Sequence, residues 1–138
     1  IEQIPDSSHA CTTAASDEGN TSGIFFIAFE NESQLEIVVA ALFYPDKSWY
    51  KAELCDEVVL SHEQLHFDIT ELFARKFRER LKTVKNDTDI KKKVRKIFAE
   101  INRELNTFQN KYDRETNYSR NIPEQLLWNE KIAEALSE

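Results

Sequence analysis

Two apolar runs in the first third of the chain predict a pair of β-strands. They are Ile24–Phe29 and Leu35–Tyr44, and a short polar segment separates them. Continuous apolar runs of this length, joined by a polar turn, predict an antiparallel hairpin within residues 23–50. The preceding residues, 1–22, are rich in Ser, Thr and Ala. They predict an extended arm that contains one strand near Ala10–Ala14.

From Ala52 onward the apolar residues recur every three or four positions, which is the period of an α-helix. This spacing predicts one helix that ends at Leu81 and a second, strongly amphipathic helix over Ile90–Tyr112. The polar segment Asp113–Asn121 predicts a loop. Pro123 then opens a last helix, because proline is well tolerated at the first helical position.

The first predicted helix contains the sequence HExxH, formed by His62, Glu63 and His66. Positions i and i+4 lie on the same face of a helix, so both imidazoles can reach one metal ion. Glu63 is rotated away on the same turn, where it can reach a water molecule on the metal. This is the zinc-hydrolase arrangement, with two ligands and a general base on one rigid element. The alternative is an amphipathic helix that carries two histidines on its buried side.

These elements together predict one zincin-like domain of the α+β class over residues 1–138. A short antiparallel sheet is expected to pack on three helices, with the HExxH helix at the centre. The domain divides into the extended arm (1–22), the β-hairpin (23–50) and a helical part (52–138) that holds the metal site.

Charge and hydropathy narrow the classes of partner. The net charge of −7 gives no reason to expect nucleic acid binding. No apolar run approaches the ~18 residues of a transmembrane helix. However, eleven of the eighteen basic residues lie between Arg75 and Lys96. We interpret this basic stretch as the solvated faces of two helices and not as a site for an anionic partner. Its one aromatic residue, Phe77, belongs to the inward apolar stripe of the first helix, so the charges lack an interleaved base-stacking surface.

The composition also suggests an exported protein. The chain begins at Ile1 and contains no Met, which predicts a processed product, with loss of a signal peptide as the simplest cause. We therefore expect a secreted or periplasmic location. Cys11 and Cys55 are compatible with one disulfide in an oxidising compartment, and two buried free thiols are the alternative.

Two blocks of sequence resemble the bacterial family called "domain of unknown function 922". The resemblance covers about residues 45–136. It implies a secreted zinc-dependent protease that binds one Zn²⁺ and acts on a peptide or protein substrate. The first block comprises Ser48-Trp49, His62–Glu71 and Ala74-Arg75, and the second comprises Tyr112–Ser119, Gln125 and Trp128-Asn129.

A catalytic zinc usually takes three protein ligands, so the third ligand must come from outside the HExxH sequence. The extended metzincin pattern is absent, because Ile69 and Leu72 stand where its Gly and last His belong. In the family, the second block supplies a histidine, and Tyr118 stands at the matching position. The resemblance therefore points to Tyr118 as the third ligand, with Asp113 or Glu115 as substitutes. A phenol is a weaker ligand than an imidazole at neutral pH.

Two functions follow from these observations. The first is a zinc metallopeptidase in which Glu63 is the general base. The second is a catalytically degenerate, exported zincin-like binding module, which Tyr118 favours. Asp68 and Glu71 follow the second histidine on the same helix, either as acceptors that orient an imidazole or as surface acids. The sequence leaves the oligomeric state open.

Overall fold

The computed structural model describes residues 12–14, 22–31, 34–43, 48–50 and 57–138. These ranges contain four strands and three helices, and the helices account for most of them. The elements are β1 (Thr12–Ala14), β2 (Ser22–Asn31), β3 (Gln34–Phe43), β4 (Ser48–Tyr50), α1 (Glu57–Leu81), α2 (Ile90–Thr116) and α3 (Ile122–Ser137).

Strands β2 and β3 form the predicted antiparallel hairpin, in a register that pairs Ser22 with Phe43. Alternate residues of a strand point to opposite faces of the sheet. Ile24 and Val39 lie on the face that packs into the core. Ile27, on the other face, is half exposed (50%). The hairpin thus forms a layer over the helices and leaves its outer apolar face exposed to solvent.

A second small sheet pairs β1 with β4 in antiparallel orientation. The strand predicted near Ala10–Ala14 is therefore confirmed for Thr12–Ala14. Ser22, the last residue of the predicted arm, begins β2. Residues 1–11 and 15–21 of the arm, and Cys55, lie outside the described residues, so the possible pairing of Cys11 with Cys55 stays a prediction.

Helix α1 is central to the fold, as predicted, because it contacts β2, β3, α2 and α3. Its buried apolar side chains recur at the helical period and join the core shared with the hairpin and the other helices. Burial of each large apolar side chain contributes about 1.5–3 kcal/mol, so this stripe holds α1 firmly in one orientation. The stripe comprises Leu65, Ile69, Phe73 and Phe77.

Helix α2 extends beyond its predicted end. The loop predicted over Asp113–Asn121 begins only after Thr116, and Asp113 lies on the helix. Thr116 is completely buried, and its Oγ1 donates a hydrogen bond to the carbonyl of Tyr112 at 2.8 Å. The prediction was wrong because the last turn of α2 buries polar side chains, so the apolar period stops before the helix does. The helix ends at Thr116, and Asn117 caps it with a left-handed backbone (φ 48°).

Helix α3 begins as predicted, with Pro123 in its first turn. The side chain of Asn121 caps the helix by accepting a hydrogen bond from the backbone N–H of Glu124. Trp128 and Ile132 are buried and fix α3 against the other two helices. None of the helices in the described ranges is long and apolar enough to cross a membrane.

The basic stretch forms ion pairs with neighbouring carboxylates. Arg80 donates two hydrogen bonds of 2.7 Å to Glu104 on α2, and Lys93 lies 2.6 Å from Asp87. All four side chains are partly exposed. These pairs agree with our interpretation of the stretch as solvated helix faces.

Candidate metal centre

The two histidines of the HExxH sequence lie on the inward face of α1. His62 is completely buried, and the side chain of His66 is 16% exposed. Their ring centroids are 4.9 Å apart, and the ring planes are nearly perpendicular (89°). The i, i+4 spacing therefore brings the imidazoles together, as the sequence predicts.

Asp113, on the last turns of α2, faces both imidazoles. Its Oδ1 lies 2.9 Å from His62 Nε2 and 2.8 Å from His66 Nε2. One ligand atom from each of the three side chains lies within 4.8 Å of the other two. Across the part of the chain that the structure describes, no second group of His, Cys, Asp and Glu side chains converges in this way. Asp113 was one of the two predicted substitutes for Tyr118.

A glutamine contacts the outer nitrogen of each imidazole. His62 Nδ1 lies 2.7 Å from Gln125 Oε1, and His66 Nδ1 lies 2.7 Å from Gln109 Oε1. Each ring therefore meets an amide oxygen on one side and the carboxylate of Asp113 on the other. Both of these groups accept hydrogen bonds, and a neutral imidazole carries only one N–H.

This donor set fits a metal cation. A neutral imidazole that donates its Nδ1–H to a glutamine directs the Nε2 lone pair toward the oxygen of Asp113, which is repulsive. The contact becomes favourable when Nε2 carries a proton or binds a cation. Two imidazole nitrogens and one carboxylate oxygen are ligands that zinc accepts, and a catalytic zinc keeps a fourth position open.

The pKa values shift in the direction that this arrangement requires. Burial alone lowers the pKa of His66, but its hydrogen bond to Asp113 and the nearby carboxylates outweigh burial, so the pKa lies above the ordinary 6.5. Burial alone raises the pKa of Asp113, but hydrogen bonds from His62 and His66 hold it well below its usual range. Asp113 is therefore an anion at neutral pH, ready to bind a cation.

Glu63 lies beside this centre and outside the group of three. It is half-buried, and its Oε1 atom is shielded from solvent. Its charge contributes to raising the pKa of both His66 and Tyr112, which shows that the carboxylate is near these rings. Glu63 is thus not one of the three side chains that converge, and its role as a general base stays a prediction.

Glu115 and Tyr118 are the other two predicted ligands, and each has a contact of its own. The carboxylate of Glu115 accepts a hydrogen bond from the indole N–H of Trp128 at 3.1 Å. Tyr118 is half-buried in the left-handed turn after α2 (φ 55°), where its backbone N–H donates to the carbonyl of Asp113 at 3.0 Å. Its role as a ligand stays a prediction.

For Asp68 and Glu71 the sequence left two roles open, as acceptors that orient an imidazole or as surface acids, and both have partners other than the imidazoles. Asp68 accepts a hydrogen bond from Gln64 at 3.0 Å, and Glu71 pairs with Arg75 at 3.1 Å. The glutamines contact the imidazoles instead. The sequence singles out Gln125 only through the family resemblance, and it gives no signal for Gln109. Nothing in the local sequence marks Gln109, because its role depends on how α2 packs against α1.

A family model described as "Bacterial protein of unknown function (DUF922)" matches residues 47–120, which is more than half of the chain. The chain belongs to the DUF922 family. The DUF922 match includes the HExxH sequence, Gln109 and Asp113, and it ends before Gln125 and the rest of α3. Comparison with curated proteins and with solved structures found no match.

Proposed function

We propose that this DUF922 protein is a zinc-dependent hydrolase that cleaves peptide bonds. In this proposal His62, His66 and Asp113 hold one Zn²⁺. The observation that carries the proposal is the convergence of two Nε2 atoms and one carboxylate oxygen within 4.8 Å, on two helices that the core holds in place. Three protein ligands of this kind leave the open position that a catalytic zinc requires.

Glu63 is the proposed general base. When bound, a zinc ion supplies Lewis acidity that polarises a scissile carbonyl and acidifies an attacking water. The Glu63 carboxylate would take a proton from the water as the water oxygen bonds to the carbonyl carbon, and would return that proton to the amine nitrogen as the C–N bond breaks. Its neighbour in sequence, His62, is buried and stacked on Tyr112, with ring centroids 4.5 Å apart. The base is therefore carried on a rigid part of α1.

Asp113 supports the catalytic interpretation over the degenerate one. The degenerate interpretation rested on Tyr118, at the position where the family resemblance expects a histidine. The Asp113 carboxylate supplies an anionic third ligand whether or not the phenol contributes. Peptides are the proposed substrates because HExxH combines two zinc ligands and a general base in the manner of metallopeptidases.

Metal content is the first test of this proposal. Purified protein, supplied with zinc and then freed of excess metal, is expected to hold about one zinc per chain by elemental analysis. The His66→Ala variant is expected to lose that zinc, since two protein ligands remain. Wild-type protein that retains no zinc would contradict the proposal, and the binding-module interpretation would then lead.

Hydrolysis of fluorescently labelled casein tests the role of the base. The Glu63→Gln variant is expected to keep its zinc and lose at least about 100-fold in rate, because general base catalysis contributes about 10²–10⁴-fold. Glu71→Gln is the matched control on the same helix, since Glu71 pairs with Arg75 and not with the centre. If Glu63→Gln retains full activity, the assignment of the base is wrong.

A further inference from the structure

We propose that Gln109 and Gln125 are positioning residues for the metal centre, an inference that rests on the proposed function. The amide oxygen of each glutamine accepts a hydrogen bond from the Nδ1–H of one imidazole. This leaves the Nε2 of that imidazole free to bind the cation. The two glutamines lie on α2 and α3, whereas both histidines lie on α1. The orientation of the ligands is therefore decided by how the three helices pack.

The amide of Gln109 has only one orientation that satisfies its neighbours. Its Nε2 lies 2.9 Å from the backbone carbonyl of His66, which can only accept a hydrogen bond, and 3.3 Å from Thr70 Oγ1. The NH₂ group must therefore face these atoms, and Oε1 must face the ring. Because Oε1 can only accept, His66 Nδ1 must donate across the 2.7 Å contact.

The amide of Gln125 is oriented through a second residue. The hydroxyl of Tyr112 donates to the backbone carbonyl of His62 at 2.8 Å, so the phenol oxygen is left to accept. It accepts from Gln125 Nε2, also at 2.8 Å. Gln125 Oε1 then faces His62 Nδ1, which must donate to it at 2.7 Å. This closes a ring of hydrogen bonds that begins and ends on His62.

The two glutamines thus perform the same task on two histidines. Gln109 holds both the ring Nδ1 and the backbone carbonyl of His66 directly. Gln125 holds the ring Nδ1 of His62 directly and the backbone carbonyl of His62 through the hydroxyl of Tyr112. Outer partners of this kind select the tautomer of a metal-binding histidine and orient its ring. Both Nε2 atoms face Asp113 in the metal-free protein, and when a ring is neutral its Nε2 lone pair is directed inward. A cation that takes the place of an Nε2 proton therefore meets ligands that are already oriented.

Zinc affinity, measured by competition with a chromogenic chelator, provides the first readout. Gln109→Leu and Gln125→Leu are each expected to weaken zinc binding about 10–100-fold, as loss of an outer hydrogen-bond partner typically does. Gln109→Glu keeps an acceptor for His66 Nδ1 but loses the N–H that donates to the His66 carbonyl, so it is expected to recover only part of the affinity. Gln64→Leu is the control, because Gln64 is an exposed glutamine on α1 that contacts Asp68.

Ring NMR of the metal-free protein, labelled with ¹⁵N-histidine, provides a second readout that depends on neither zinc nor activity. Wild-type protein is expected to show slowly exchanging Nδ1–H signals for both His62 and His66. Gln109→Leu should remove the His66 signal alone, and Gln125→Leu the His62 signal alone. A general loss of structure would affect both signals, so this pairing separates positioning from folding.

The outcomes separate this inference from the proposed function. If the wild-type protein binds zinc and both leucine variants retain that affinity and both ring signals, the glutamines do not position the ligands and the hydrolase proposal stands. If the wild-type protein binds no zinc, the hydrolase proposal fails, and the ring signals of the metal-free variants still decide the role of the glutamines. Selective loss of one signal in each variant supports the inference, and retention of the signals overturns it.

Discussion

Replacement of Asp113 by asparagine tests the proposed metal centre most directly. The change removes the negative charge from the oxygen that lies 2.8–2.9 Å from both Nε2 atoms, and it preserves the shape of the side chain. In the metal-free protein, the new amide can donate an N–H to one neutral Nε2. We therefore expect a small loss of folding stability, about 1 kcal/mol, which is typical of one altered hydrogen bond.

Zinc binding should respond far more strongly. Loss of an outer partner of a metal ligand costs about 10–100-fold in affinity, so loss of the anionic ligand itself should cost at least about 100-fold. At a zinc concentration of ~100 times the wild-type Kd, binding stabilises the wild-type fold by about 2.7 kcal/mol and the Asp113→Asn fold by about 0.4 kcal/mol. For a chain of this size these correspond to increases in Tm of about 10 °C and 2 °C.

Scanning calorimetry of chelator-treated protein, with and without added zinc, measures both effects. Asp68→Asn is the matched control, because it makes the same chemical change on α1 at a carboxylate that contacts Gln64. It should retain the full increase in Tm on zinc addition. If Asp113→Asn also retained that increase, Asp113 would not be the third ligand and the reasoning from convergence would be refuted.

Two further predictions use the same calorimetric measurement. Tyr118→Phe should leave the zinc-induced increase in Tm unchanged if Asp113 is the third ligand, whereas loss of the increase would identify the phenol as a ligand. The increase should also grow as the pH rises from about 6 to 8, because the proton on His66 competes with zinc. The raised pKa of His66 stabilises the metal-free fold below pH 6.5, and this contribution is lost as the pH rises through the folded-state pKa. The lowered pKa of Asp113 likewise stabilises the metal-free fold above about pH 3.8. This contribution to stability is lost only at lower pH, outside the range from pH 6 to 8. A zinc-induced increase that did not change with pH would contradict the assignment of His66 as a ligand.

Much of the fold could be predicted because apolar periodicity reports burial. The hairpin and the end of α1 at Leu81 agree with the spacing of apolar residues, since these elements bury apolar side chains along their length. The end of α2 could not be predicted in this way. There Tyr112, Asp113 and Thr116 face a buried polar cluster, so a helical turn has the composition of a loop.

The residues of α1 that meet can be predicted from the sequence, because helical geometry is local: His62 and His66 share a face, and Glu63 is turned away from them. The residues that face them depend on how the helices pack. Asp113 is 47 residues from His66, and Gln125 is 63 residues from His62. Such distant side chains meet only when the apolar stripes of three helices pack in one arrangement, and that packing is a property of the whole core. Asp113 faces both imidazoles because of the direction in which α2 presents its last turns.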